Sequence, residues 1–246
     1  MNDPLKEGLR QLGLTWLLDN CDQEIAGAAR KNLPHRELLA RLVHGECEAR
    51  QARAVQRRLR AARMPMTRTI DSFDWNWPEN VNRDQVLHLF TLGFLREKAN
   101  VVLIGNVGLG KTHIAAALAA RACEHGHAVL CAQAVDIVND LAEARDKPGF
   151  ARAVQRYAKP ALLVVDELGY LPVDRVGAEL LFQVLGARYE RGSTVITTNR
   201  PYKEWATTFA NDATLASAVL DRVLHHCETI VITGRSYRMK DRIERQ

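Results

Sequence analysis

Residues 105–112 read Gly105-Asn106-Val107-Gly108-Leu109-Gly110-Lys111-Thr112, directly after the apolar run Val101-Val102-Leu103-Ile104. The spacing fits G-x-x-x-x-G-K-[ST], a phosphate-binding loop, in full. Glycines at these places reach backbone angles closed to other residues and let the chain approach phosphate oxygens. Successive N–H groups and the start of the next helix then face the negative charge. Lys111 reaches the β- and γ-phosphates, and Thr112 offers a hydroxyl to Mg²⁺. The stretch from Ile114 to Ala122 after the loop reads as a helix. The expected nucleotide set is Gly105 to Thr112 with His113 beside it, for ATP.

A second apolar run, Ala161 to Val165, ends in Asp166-Glu167. Ligands collect at the C-terminal ends of strands in sheets of this kind. Asp166 is expected to hold Mg²⁺ together with Thr112, and Glu167 to orient and polarise the attacking water. The next run ends Thr197-Thr198-Asn199. Asn199 at that strand tip would point at the γ-phosphate or its water; a turn-forming Asn before Arg200-Pro201 is the plainer alternative. Arg222 and Arg238 could each stabilise charge on the γ-phosphoryl oxygens. Spacing alone leaves a surface salt bridge as the simpler reading of both.

These groups need a frame. From residue 83 onward, helical stretches alternate with short runs rich in β-branched residues: Val101 to Ile104, Ala128 to Cys131, Ala161 to Val165, Thr194 to Thr198 and Thr229 to Ile232. Five such strands imply an α/β fold with a parallel sheet covered by helices on both faces. Residues 1–66 read as a small all-α domain, with a break near Asn32-Leu33-Pro34 and a second helix from Glu37 to Ala62. Residues 67–82, with Phe73, Trp75 and Trp77, read as a linker packing onto the domain of residues 83–246.

The chain has 246 residues and a net charge of +5. Between residues 41 and 68 there are eight arginines and two acids, a local charge of +6. So dense a run fits a polyanion, and Arg50, Arg53, Arg57, Arg58, Arg60 and Arg63 are the expected nucleic-acid contacts. A solvated helix face is the alternative. Five cysteines without a C-x-x-C pair imply reduced, buried thiols rather than a disulfide framework. His225, His226 and Cys227 are adjacent, a poor geometry for one metal centre. No apolar run approaches the ~20 residues that cross a bilayer, and no signal-peptide core is present, so a cytoplasmic protein with no membrane partner is expected.

Gly105 to His113, Asp166-Glu167-Leu168-Gly169-Tyr170-Leu171-Pro172, Thr197 to Pro201, Leu220-Asp221-Arg222 and Ser236-Tyr237-Arg238 together resemble the IstB family. These are AAA+ ATPase helpers of insertion-sequence transposition, similar to helicase loaders of the DnaC type and to the initiator DnaA. The resemblance covers nearly the whole chain. It implies that Asn199 is sensor 1, that Arg222 is an arginine finger acting on a neighbouring subunit's ATP, and that Arg238 is sensor 2. It also implies a homo-oligomer that binds duplex DNA with little sequence preference and delivers it to a partner transposase. Thirteen residues follow Thr233, too few for the helical lid that usually carries sensor 2, so no full C-terminal lid is expected.

A helicase loader would share the fold but use its N-terminal helices to grip a protein; the arginine-dense helix suits phosphates better. A small-molecule kinase is the third reading, and no acceptor-substrate site is visible for it.

Overall fold

A computed structural model of the protein describes residues 3–64, 68–171 and 173–237. The described chain divides into two compact units, one up to Arg57 and one from Arg58 onward. The first holds helices α1 (Pro4–Gln11), α2 (Thr15–Lys31) and most of α3 (His35–Ala61). Asp3 caps α1 by accepting from the Leu5 N–H, and Pro4 at the first helical position gives up no hydrogen bond. Asn32 ends α2 in the left-handed conformation at φ 51°, the break expected at Asn32-Leu33-Pro34. A further break, around Gly13 at φ 65°, separates α1 from α2. The N-cap of α2, Leu14, has no side chain that can cap. Glu46 of α3 replaces it: its carboxylate, 5% exposed, accepts from the Leu17 N–H at 3.1 Å and from Arg53 at 2.8 Å. Gly45 gives Trp16 room, since a Cβ there would run into the indole. Leu38 and Leu42 are half-buried on α3, but Leu39 and Val43 are exposed. The apolar side expected there is narrower, because adjacent positions on a helix turn by ~100°.

The second unit is built on strands β1 (Asn100–Gly105), β2 (Val129–Gln133), β3 (Leu162–Leu168), β4 (Ser193–Thr198) and β5 (Cys227–Ile232). The sheet order is β2-β3-β4-β1-β5 and all pairs are parallel. The connecting helices are α4 (Arg83–Leu89), α5 (Gly93–Arg96), α6 (Lys111–Glu124), α7 (Ala134–Ala144), α8 (Phe150–Ala158), α9 (Arg175–Arg188), α10 (Trp205–Thr208) and α11 (Ala213–Leu224). The five expected strands are all present, each slightly longer than its apolar run. Alternate strand residues bury on opposite faces, as a period of two requires. Val101, Leu103, Leu162 and Val164 join α4, α5 and α6 in one core; Val102, Leu163, Val165 and Ile196 join α7, α8, α9 and α11 in the other. α6 can lie close to the sheet because its inner side is mainly alanine, with Ala115, Ala116, Ala119 and Ala122 buried.

Arg188, 1% exposed, ties the far end of the sheet. Its guanidinium donates to the carbonyls of Tyr157, Ala158, Pro160 and Ser193. Burial lowers its pKa to about 10, so it stays charged at neutral pH, and the carbonyls it satisfies lie at the end of α8, in the turn before β3 and at the first residue of β4. Among the described residues no helix is long and apolar enough to cross a membrane.

Candidate functional site

The phosphate loop leaves the C-terminal end of β1 and enters α6. Gly108 and Gly110 take φ values of 79° and 85°, where a Cβ is strained whatever the space. Space is also lacking: a Cβ on Gly110 would meet the Phe73 ring, and one on Gly108 the Ser236 side chain. Leu109 is 2% exposed and anchors the loop in the core, while Asn106 and Val107 face solvent. Lys111 is only 4% exposed. Its ammonium donates to the carbonyls of Gly105 and Asn106, each at 2.7 Å, and to the Tyr170 hydroxyl at 3.2 Å.

Thr112 donates its hydroxyl to Asp166 Oδ1 at 3.0 Å. The Thr197 hydroxyl donates to the same oxygen, and the Glu167 N–H donates to Thr197 Oγ1 at 2.9 Å. One threonine on β4 therefore fixes both members of the acidic pair. The β3–β4 register shifts between Val165 and Leu168, and Glu167 sits at φ 60°. This bulge turns Glu167 off the regular alternation of the strand. Thr198 pairs with Ile104 on one side and Leu168 on the other. Asn199, next in the chain, thus emerges between the phosphate loop and the acidic pair. Its Oδ1 is buried with no hydrogen-bond partner, a state that costs roughly 1–3 kcal/mol.

The donor set fits the expected ion and nucleotide. A hydroxyl and a carboxylate oxygen 3.0 Å apart are the hard oxygen ligands Mg²⁺ takes. A cavity of about 230 Å³ beside the loop is lined by Phe73, Trp77, Pro78, Gly110, His113 and Tyr237. His113 lies near the loop, but its ring nitrogen is 2.9 Å from the Thr69 carbonyl and its ring packs edge-on to Phe73. It holds the segment before α4 against α6.

Arg222 is elsewhere. Its guanidinium stacks on Phe182 with 4.0 Å to the ring centroid. The neighbouring Val223 carbonyl accepts from Asn100, the first residue of β1, whereas the loop leaves β1 at Gly105. The six-residue strand puts roughly 17 Å between the two ends. Tyr237 donates its N–H to the Gly108 carbonyl at 2.8 Å, and Trp77 donates to Arg235 O, so the segment before Arg238 runs beside the loop. Arg238 itself and Pro172 lie outside the described residues. Among the six candidate DNA contacts, Arg50, Arg53, Arg57, Arg60 and Arg63 are exposed. Arg53 is paired with Glu46, and Arg58 is half-buried and donates to Cys123 O at 2.7 Å. Arg63 lines a second cavity, about 470 Å³, shared with Thr112, Asp166, Asp140 and Arg156.

Sequence reasoning missed Thr197 and Tyr170. The polar pair Thr197-Thr198 after the apolar Val195-Ile196 of β4 was the signal for Thr197; nothing in the spacing marks Tyr170. The expectation of buried thiols fails for Cys47, which is exposed, while Cys21, Cys123 and Cys131 are buried and all five are free.

The parallel sheet, the loop after β1 and the acidic pair at the C-terminal end of β3 define a P-loop fold of the AAA+ class. Solved structures of that class are similar: the DnaC helicase loader (TM-score 0.55, 23% identity, covering 67% of this chain and 96% of that one) and DnaI (TM-score 0.58, 19% identity, 72% and 94%). The initiator DnaA bound to AMPPCP and single-stranded DNA is also similar (TM-score 0.58, 18% identity, 74% and 56%). The model of the IstB-like ATP binding proteins matches residues 7–245, and the chain belongs to that family. A protein of insertion sequence IS21 from Pseudomonas aeruginosa, named for ATP binding, is 36% identical over 95% of this chain and 88% of its own length. A similarly named protein of IS5376 from Geobacillus stearothermophilus is 32% identical over 98% and 96%.

Proposed function

We propose that this protein is an ATPase of insertion-sequence transposition that assembles on duplex DNA and delivers it to a partner transposase. The observation that carries the ATPase reading is the Thr112–Asp166–Thr197 bond set beside Lys111 and Glu167. The loop N–H groups and Lys111 hold the phosphates, Lys111 exchanging its carbonyl partners for phosphate oxygens. Thr112 and Asp166 hold Mg²⁺, which when bound neutralises charge on the phosphate oxygens. Glu167 accepts a proton from the attacking water as the water oxygen bonds to the γ-phosphorus. The bond from that phosphorus to the β–γ bridging oxygen breaks, and ADP leaves. Asn199 accepts a hydrogen bond from the same water through its unpartnered Oδ1.

Arg222 lies too far from its own loop to act there, which supports the reading that it serves a neighbouring subunit. The exposed arginines of α3 recur at Arg50, Arg53, Arg57 and Arg60, three or four residues apart, and so along one side of the helix. That stripe supports DNA contact over the helicase-loader alternative. The names of the relatives, which tie them to insertion sequences and ATP, support the transposition setting.

The test is the ATPase rate with and without random-sequence duplex, at two salt concentrations and several protein concentrations. A rate that rises with DNA and protein and falls with salt is expected. A rate indifferent to DNA would favour a loader-type partner instead.

A further inference from the structure

The end of the sheet opposite the phosphate loop carries, at the start of β5, a cluster that the ATPase reading does not use. His225 follows the last residue of α11, and His226 follows it. Glu190 lies just beyond α9. A donor atom from each of these three lies within 4.8 Å of the other two. His225 Nδ1 is 4.0 Å from a Glu190 carboxylate oxygen, and the two imidazoles meet edge-on with centroids 4.2 Å apart. Cys227, next in the chain, is not part of it. Its thiol is half-buried, burial raises its pKa to about 11, and it donates to the Glu228 carbonyl.

The geometry points to a site for a zinc-class divalent metal formed by Glu190, His225 and His226. Two imidazoles and a carboxylate are a donor set zinc takes, with donors about 2 Å from the ion. Such donors lie roughly 3.4 Å apart in a tetrahedron, so these side chains need to close by about an ångström. All three are exposed and free to rotate that far. Their backbones are fixed. The His226 carbonyl accepts from Asn100 N–H at 2.7 Å, and the turn after Glu190 is held by Arg191 and Gly192 N–H groups donating to Arg188 O. Three protein donors leave a fourth position open, on the same helix end as Arg222.

Zinc titration by calorimetry, in nucleotide-free Cys47→Ser protein, tests this. The substitution removes the exposed thiol as a rival donor. One equivalent of zinc should bind, and the double variant His225→Ala, His226→Ala should lose it. Glu190→Gln should weaken binding by at least about tenfold, the loss that even an outer-shell partner causes. Glu179→Gln, on exposed α9 surface, should leave binding unchanged. Circular dichroism checks folding; should the double variant not fold, Glu190→Gln alone decides. Unaltered zinc binding in the histidine variant, or in Glu190→Gln if that variant decides, would overturn the site. So would wild-type protein that takes up no zinc.

Discussion

Glu167 combines an acid side chain with a backbone at φ 60° inside a strand. A non-glycine residue in that region costs about 1–2 kcal/mol, and the Glu167 N–H bond to Thr197 holds it there. Backbone strain of this kind concentrates where a side chain must be aimed. Under the proposed mechanism, Glu167→Gln keeps the shape and removes the proton acceptor. The turnover number should fall by roughly 10²–10⁴-fold, the range for a general base, with ATP binding retained. Steady-state kinetics and a nucleotide-binding measurement separate the two. A normal turnover number in that variant would remove Glu167 from the role of base.

Among the elements, the N-terminal helix pair depends on one buried acid. Burial pushes the Glu46 carboxyl up, but the Leu17 N–H and the Arg53 guanidinium pull it down further, and the net shift is below its ordinary value of 4.5. A folded-state pKa below the unfolded one means stabilisation that is present above 4.5 and is lost as pH falls through the lower, folded value. The start of α2 should therefore loosen on acidification, read as a lower protection factor at the Leu17 amide once the intrinsic pH dependence of exchange is divided out. Glu46→Gln should exchange faster at neutral pH and show a flatter response to acid. An acid response in that variant matching the wild type would assign the loosening to other groups.

For the whole molecule, the separation of Arg222 from its own phosphate loop along β1 makes a prediction about assembly. Lys111→Ala disables the loop and keeps the arginine; Arg222→Ala does the reverse. Each variant should hydrolyse ATP poorly by itself. Mixed, they should recover part of the wild-type rate, because a Lys111→Ala subunit can present Arg222 to the intact loop of an Arg222→Ala neighbour. Absence of recovery in mixtures that demonstrably co-assemble would show that Arg222 does not act across subunits.

The phosphate loop, the five strands and the break at Asn32 were readable because each is a local pattern. A motif of fixed spacing, runs of β-branched residues and a turn-forming Asn all act within a few residues of chain. The acidic pair was readable for the same reason, ending an apolar run. Other features depend on residues far apart in sequence. Thr197 meets Asp166 only because β4 lies beside β3, and Glu46 caps α2 only because α3 folds back on it. Glu190 approaches His225 and His226 because α9 and α11 end at one corner of the sheet. That corner also shows why Cys227, adjacent in sequence, is no partner: the β-strand it begins turns its side chain inward. Sequence thus determined which local elements form and what chemistry the loop can do. Tertiary structure decided which distant side chains meet, because strand order and helix packing, not spacing along the chain, set those distances.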